Sequence, residues 1–117
     1  MNSKIQNNIA ETNLWWFNML DQSIFNLADL PSNVISRIGS GKIAVGEDIA
    51  QDFDFYLGLI VKNYDDYLIG NYYEKIKSIN SALCLICDWS NESFINDDDW
   101  NKIRFIARDA LLGKFIN

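Results

Sequence analysis

The chain has 117 residues, 49% of them hydrophobic and 14% aromatic, with a formal net charge of −6 and a pI near 4.4. That is the size of one domain with enough apolar surface for a core, which argues against disorder, and the acidity argues against gripping a phosphate backbone. Histidine is absent, which excludes Ser–His and Cys–His nucleophile pairs within one chain and removes the commonest metal ligand.

Helical periodicity dominates from the N-terminus onward. Ile5, Ile9, Trp16, Leu20 and Leu27 recur on one stripe and predict a helix over about residues 3–28. Pro31 then suits the first position of a short helix, residues 31–38, that buries Val34, Ile35 and Ile38. Gly39-Ser40-Gly41 ends it, because glycine enters the left-handed conformation at little cost. A third helix is expected over 47–62, with Ile49, Phe53, Tyr56, Leu57 and Ile60 on its core side. Asp65-Asp66 opens a further segment that Gly70 interrupts. Residues 71–88 form an amphipathic unit through Tyr72, Ile76, Ile79, Leu83 and Ile86 or Cys87. Ser90 to Asp97 reads as a polar loop, and Asp97-Asp98-Asp99 opens a last helix, where carboxylates cap free N–H groups and face the positive dipole end. Trp100, Ile103, Ala107, Ala110 and Leu111 form its buried stripe. No long period-2 pattern indicates strands. The expectation is one all-α domain over residues 1–117, a helical bundle of four to five main helices. No apolar run is long enough to span a bilayer and no secretion signal is visible at the N-terminus, so the expected location is cytoplasmic.

The charge is unevenly placed. Residues 43–74 carry Glu47, Asp48, Asp52, Asp54, Asp65, Asp66 and Glu74 against a single base, Lys62, and the acids and bases elsewhere cancel. A negative field confined to one segment steers cationic partners to one face. On the third helix Asp48 and Asp52 fall off the core side, and so do Phe55 and Leu59. Either another element covers these two apolar residues, or they form an exposed patch rimmed by acids, which is the composition of an interface for a basic partner. The candidate partner-binding residues are Glu47, Asp48, Asp52, Asp54, Phe55, Leu59, Asp65, Asp66 and Tyr67.

Other motifs have structural readings. Gly39-Ser40-Gly41-Lys42 ends like a phosphate-binding loop, but Ser36 stands where glycine is needed and Ile43 where Ser or Thr is needed. Cys84 and Cys87 lack two further ligands for a zinc site and are expected to be reduced thiols in the core. Asp97-Asp98-Asp99 lacks the alternating ligands and glycine of a calcium loop. Lys102, Arg104 and Arg108, interleaved with acids, are expected on a salt-bridged, solvated helix face. No cofactor, metal site or carboxylate dyad is indicated.

The segment Trp100-Asn101-Lys102-Ile103-Arg104-Phe105-Ile106-Ala107-Arg108-Asp109-Ala110-Leu111 resembles the closing helix of several small bacterial immunity proteins. The preceding helix with Ile76, Ile79 and Leu83, followed by a polar loop, is similar to theirs as well. The resemblance covers roughly a third of the chain. It implies a small cytoplasmic protein, as in contact-dependent inhibition and related polymorphic toxin systems, that binds one toxin domain, commonly a basic nuclease, and blocks its active site without chemistry of its own. Three alternatives stand beside it: a phage-type acidic inhibitor that mimics nucleic acid, a small enzyme using only carboxylates, and a structural helical subunit.

Overall fold

A computed structural model describes the backbone over residues 3–38, 44–64 and 71–116, and side chains within 15–38, 44–62 and 72–113. Among the described residues there are six helices and no strand: α1 (Ser3–Ala28), α2 (Pro31–Ile38), α3 (Val45–Tyr64), α4 (Asn71–Leu83), α5 (Asn91–Asn96) and α6 (Asp98–Ile116). The all-α expectation holds, with four long helices and two short ones.

The predicted stripes face the core, with Trp16, Ile35, Ile38, Tyr56, Leu57, Tyr72 and Leu111 only partly buried at its edge and Ile24 added to the α1 stripe. The side chains of Ile5 and Ile9 lie outside the described residues. Leu20, Ile24 and Leu27 of α1, Val34 of α2, Ile49, Phe53 and Ile60 of α3, Ile76, Ile79 and Leu83 of α4, and Trp100, Ile103, Ala107 and Ala110 of α6 share one core. Ser23 sits within the α1 stripe and donates its hydroxyl to the Leu20 carbonyl at 2.7 Å, so its polarity is satisfied inside the helix.

Short-range chemistry sets the turns. The Leu30 carbonyl accepts the first amides of α2 from Asn33 and Val34, and Pro31 takes the first helical position, where its missing N–H costs nothing. The Asp29 carboxylate accepts from the Leu30 amide at 2.8 Å and from Arg37 at 2.6 Å, and the same guanidinium reaches Asn26, tying α2 back onto the end of α1. The Arg37 hydrogen bond is the main reason Asp29 titrates below the ordinary carboxylate range.

Two elements differ from the sequence reading. α4 stops at Leu83 instead of continuing toward residue 88. Its last turn tightens through Leu85 N to Ala82 O and Ile86 N to Leu83 O, which swings Ile86 into the core and leaves Leu85, Cys84 and Cys87 exposed. The two thiols therefore lie at the surface and not in the core. Residues 91–96, expected as loop, form α5: the Ser90 hydroxyl accepts from the Ser93 amide, and Phe94 buries its ring against Trp100 with centroids 4.9 Å apart. Asp97 closes α5 and its carbonyl starts α6, while its carboxylate accepts the Ser93 hydroxyl.

The long helices form a bundle with one open edge. α3 packs on α1, α1 on α6 and α6 on α4, whereas α3 and α4 are not a closely packed pair. α2 and α5 close the end of the bundle where α3 begins. There the Asn91 amide oxygen accepts the Val45 N–H at 2.9 Å, capping α3 from a residue on α5. Gly46 lets the first turn of α3 lie directly on Trp100: a Cβ there would meet the indole at 2.8 Å. Among the described residues no helix is long and apolar enough to cross a membrane.

Candidate partner-binding face

α3 turns Ile49, Phe53 and Ile60 inward, so its remaining side chains face outward or along its two flanks. At about 100° per residue, Glu47 and Asp54 follow the flank toward α4, while Asp48, Asp52 and Leu59 follow the flank of Tyr56 toward α1. The acids that the sequence places on one face are thus divided by the outward ridge that carries Phe55. Asp65, Asp66 and Tyr67 lie outside the described residues, as does the Gly39-Ser40-Gly41-Lys42 segment.

Phe55 is 58% exposed and is not covered by another helix, while Leu59 is half-buried. The Phe55 ring meets Tyr56 edge-on at 5.1 Å, and Tyr56 meets Trp15 of α1 edge-on at 5.9 Å. Trp15 is itself 52% exposed. A string of three rings thus crosses from α3 to α1, solvent-facing at both ends, with Asp52 on the same flank. Sequence reasoning missed Trp15, because nothing in the α1 pattern tells which side of that helix α3 occupies.

The other flank borders the open edge of the bundle. A cleft of about 370 Å³ is lined by Glu47, Ala50, Gln51 and Asp54 of α3, Asn80 and Leu83 of α4, and Cys84 and Trp89 beyond it. A second depression of about 310 Å³ continues along the same two helices between Leu57, Val61, Tyr73 and Lys77. Asn80 borders both, so the two form one groove in which α3 and α4 run antiparallel. Trp89 is fixed at one end by edge-on packing against Trp100, with centroids 5.7 Å apart. Trp89, Asn80 and Leu83 were not legible as site residues, since their convergence depends on the spacing of two helices.

The electrostatics of α3 differ from those elsewhere. Asp29 pairs with Arg37, Asp109 with Lys75 and Glu74 with Lys77. Glu47, Asp52 and Asp54 are exposed and have no ion-pair or hydrogen-bond partner among the described residues. Glu47 and Asp48 lie in the first turn, where the helix dipole favours carboxylates, but Asp52 and Asp54 are beyond its reach.

Of the three C-terminal bases expected on a solvated, salt-bridged face, Lys102 and Arg108 are exposed but Arg104 is not. Arg104 is buried, its guanidinium 5.3 Å from the Phe94 ring centre and bonded to Asn101, and burial followed by the neighbouring Arg108 lowers its pKa. Arg108 donates to the Ala28 carbonyl at the end of α1 at 2.6 Å. Arg104 and Arg108 are thus engaged in holding α5 and α1, while Lys102 is exposed. Among the described residues no group of three or more Cys, Asp and Glu side chains is placed to hold a metal ion. Comparison of the chain with protein families, curated proteins and solved structures gives no match.

Proposed function

We propose that this chain is an immunity-type inhibitor, acting in the cytoplasm, that binds one basic toxin domain, a nuclease above all, and occludes its cationic cleft. The observation that carries the reading is the pair Asp52 and Asp54, two exposed carboxylates on α3 that neither a base among the described residues nor a helix terminus neutralises. Exposed Phe55 and Trp15 stand on the flank of Asp52, and Asp54 borders the opposite flank. Carboxylates so placed raise the association rate for a cationic surface, and aromatic side chains supply the desolvated contacts that hold it. A nuclease is basic where it grips phosphates, so it presents the complementary surface. The reading assigns this chain no bond-making step.

The test compares the wild-type chain with an Asp52→Lys, Asp54→Lys double variant, each immobilised and exposed to an extract of the native host at moderate salt. The wild type should retain a basic toxin-type protein that elutes as salt rises, and the variant should lose it with its circular dichroism unchanged. Equal retention by both chains would sink the proposal.

A further inference from the structure

We infer that the groove between α3 and α4 receives a cationic amphipathic α-helix of the partner, which docks as the missing fourth edge of the bundle. The inference rests on the reading that α3 meets a basic protein, and it names the element of that protein and the place it enters.

Three features define the occupant. The groove follows α3 from Glu47 to Val61, which at 1.5 Å per residue is about 21 Å, or four helical turns. Its walls alternate apolar and polar groups: Ala50, Leu57, Leu83 and Trp89 offer apolar surface, and Asn80 sits midway with a side chain able both to donate and to accept. An extended strand would leave its backbone groups unpaired against such walls, whereas a helix satisfies its own and presents a single apolar stripe. The third feature is charge. Glu47 and Asp54 stand on the α3 wall with no partner among the described residues, while the one base lining the groove among those residues, Lys77, is engaged by Glu74 at 3.2 Å and by the Tyr73 ring at 4.8 Å. The net field is negative, so the flanks of the incoming stripe are Lys or Arg. A second copy docking through its own α3 does not match, because it would bring the same carboxylates to the groove.

The test uses three synthetic 14-residue peptides against the full-length chain: an amphipathic Leu/Lys helix, a scrambled Leu/Lys sequence of identical composition, and an amphipathic Leu/Glu helix. Binding is followed by amide and indole chemical shifts in NMR. The amphipathic Leu/Lys peptide should bind at least tenfold more tightly than the scrambled one, the Leu/Glu peptide should not bind, and the largest shifts should fall on the Trp89 indole and on Ala50, Leu57, Asn80 and Leu83. Filling the groove with Asn80→Trp should weaken binding at least tenfold. Should that variant fold poorly, alkylation of Cys84 with a bulky maleimide in a Cys87→Ser background obstructs the same cleft from an exposed position.

Equal affinity for the scrambled peptide, shifts centred on Trp15 and Phe55, or a concentration-dependent dimer that buries the groove would each overturn the assignment. Failure here is separable from failure of the functional reading. Partner retention that depends on Asp52 and Asp54 without peptide docking removes only the helix-in-groove assignment, and peptide docking with partner retention indifferent to those residues removes the inhibitor reading.

Discussion

Gly46 and Gly58 lie on the same helix and respond oppositely to the same substitution. At Gly46 an added Cβ meets Cζ2 of Trp100 at 2.8 Å and Cδ1 of Phe94 at 3.0 Å, and both rings are fully buried. Neither ring can retreat without disturbing the other, since they pack edge to face. Overpacking of this kind costs about 1–3 kcal/mol, and the better helix propensity of alanine returns less than about 1 kcal/mol. The net expectation for Gly46→Ala is a loss of up to about 2 kcal/mol. At Gly58 no atom lies within 4 Å of the added Cβ, so Gly58→Ala gains the propensity difference alone, about 0.8 kcal/mol. With an unfolding entropy of ~2.1 cal/mol/K per residue, these become a Tm lowered by up to about 8 °C for Gly46→Ala and raised by about 3 °C for Gly58→Ala. Thermal unfolding followed by circular dichroism at fixed protein concentration reads both. Shifts of the same sign in the two variants would refute the reasoning, because the only difference invoked is the space beyond Cα.

Three further outcomes follow from named contacts. Asn91→Ala removes the side chain that caps Val45 and should destabilise the chain by about 1 kcal/mol, measured as a lower urea midpoint at unchanged m-value. The Asp29 carboxyl titrates low because Arg37 binds its ionised form. Its contribution is therefore fully present above the unfolded carboxylate pKa and disappears as pH falls through the lower folded value; the gap in urea midpoint between wild type and Asp29→Asn should be wide at pH 7 and close toward pH 3. Arg104 buries a cation with no carboxylate partner among the described residues, and one of its terminal nitrogens has no hydrogen-bond partner among them. Arg104→Met keeps the length and removes the desolvated charge, so it should leave stability unchanged or raise it by about 1 kcal/mol; a loss beyond about 2 kcal/mol would show that the contacts to Phe94 and Asn101 outweigh desolvation.

Much of this architecture is written in local patterns. Pro31 marks the start of α2, and the spacing of Trp100, Ile103, Ala107 and Ala110 gives the inner face of α6 without reference to any other helix. The misreadings arise where tertiary packing outranks pattern. Leu83 to Cys87 is an apolar run that reads as helix, yet only Ile86 finds core space past Leu83, and it reaches that space by a tight turn. The segment 91–96 is too short and too polar to register as periodic, and it becomes helical because Ser90 caps it and Phe94 anchors it on Trp100. The candidate face was legible as a concentration of carboxylates on α3, but its division was not. Which acids stand beside Phe55 and which border the groove depends on where α1 and α4 lie, and no residue spacing within α3 encodes that.

The cap on α3 is supplied from 46 residues downstream, and the end of α1 receives Arg108 from 80 residues away. While the chain leaves the ribosome, α3 therefore lacks its N-terminal cap until α5 has emerged and the end of α1 lacks its Arg108 donor until most of α6 has, whereas α2 is tied locally to Leu30 and Asp29. The N-terminal half should not persist as a folding unit of its own, and a nascent chain stalled before residue 91 should stay sensitive to protease. Acquisition of structure is then a late event of synthesis, governed by closure of long loops rather than by helix formation as such.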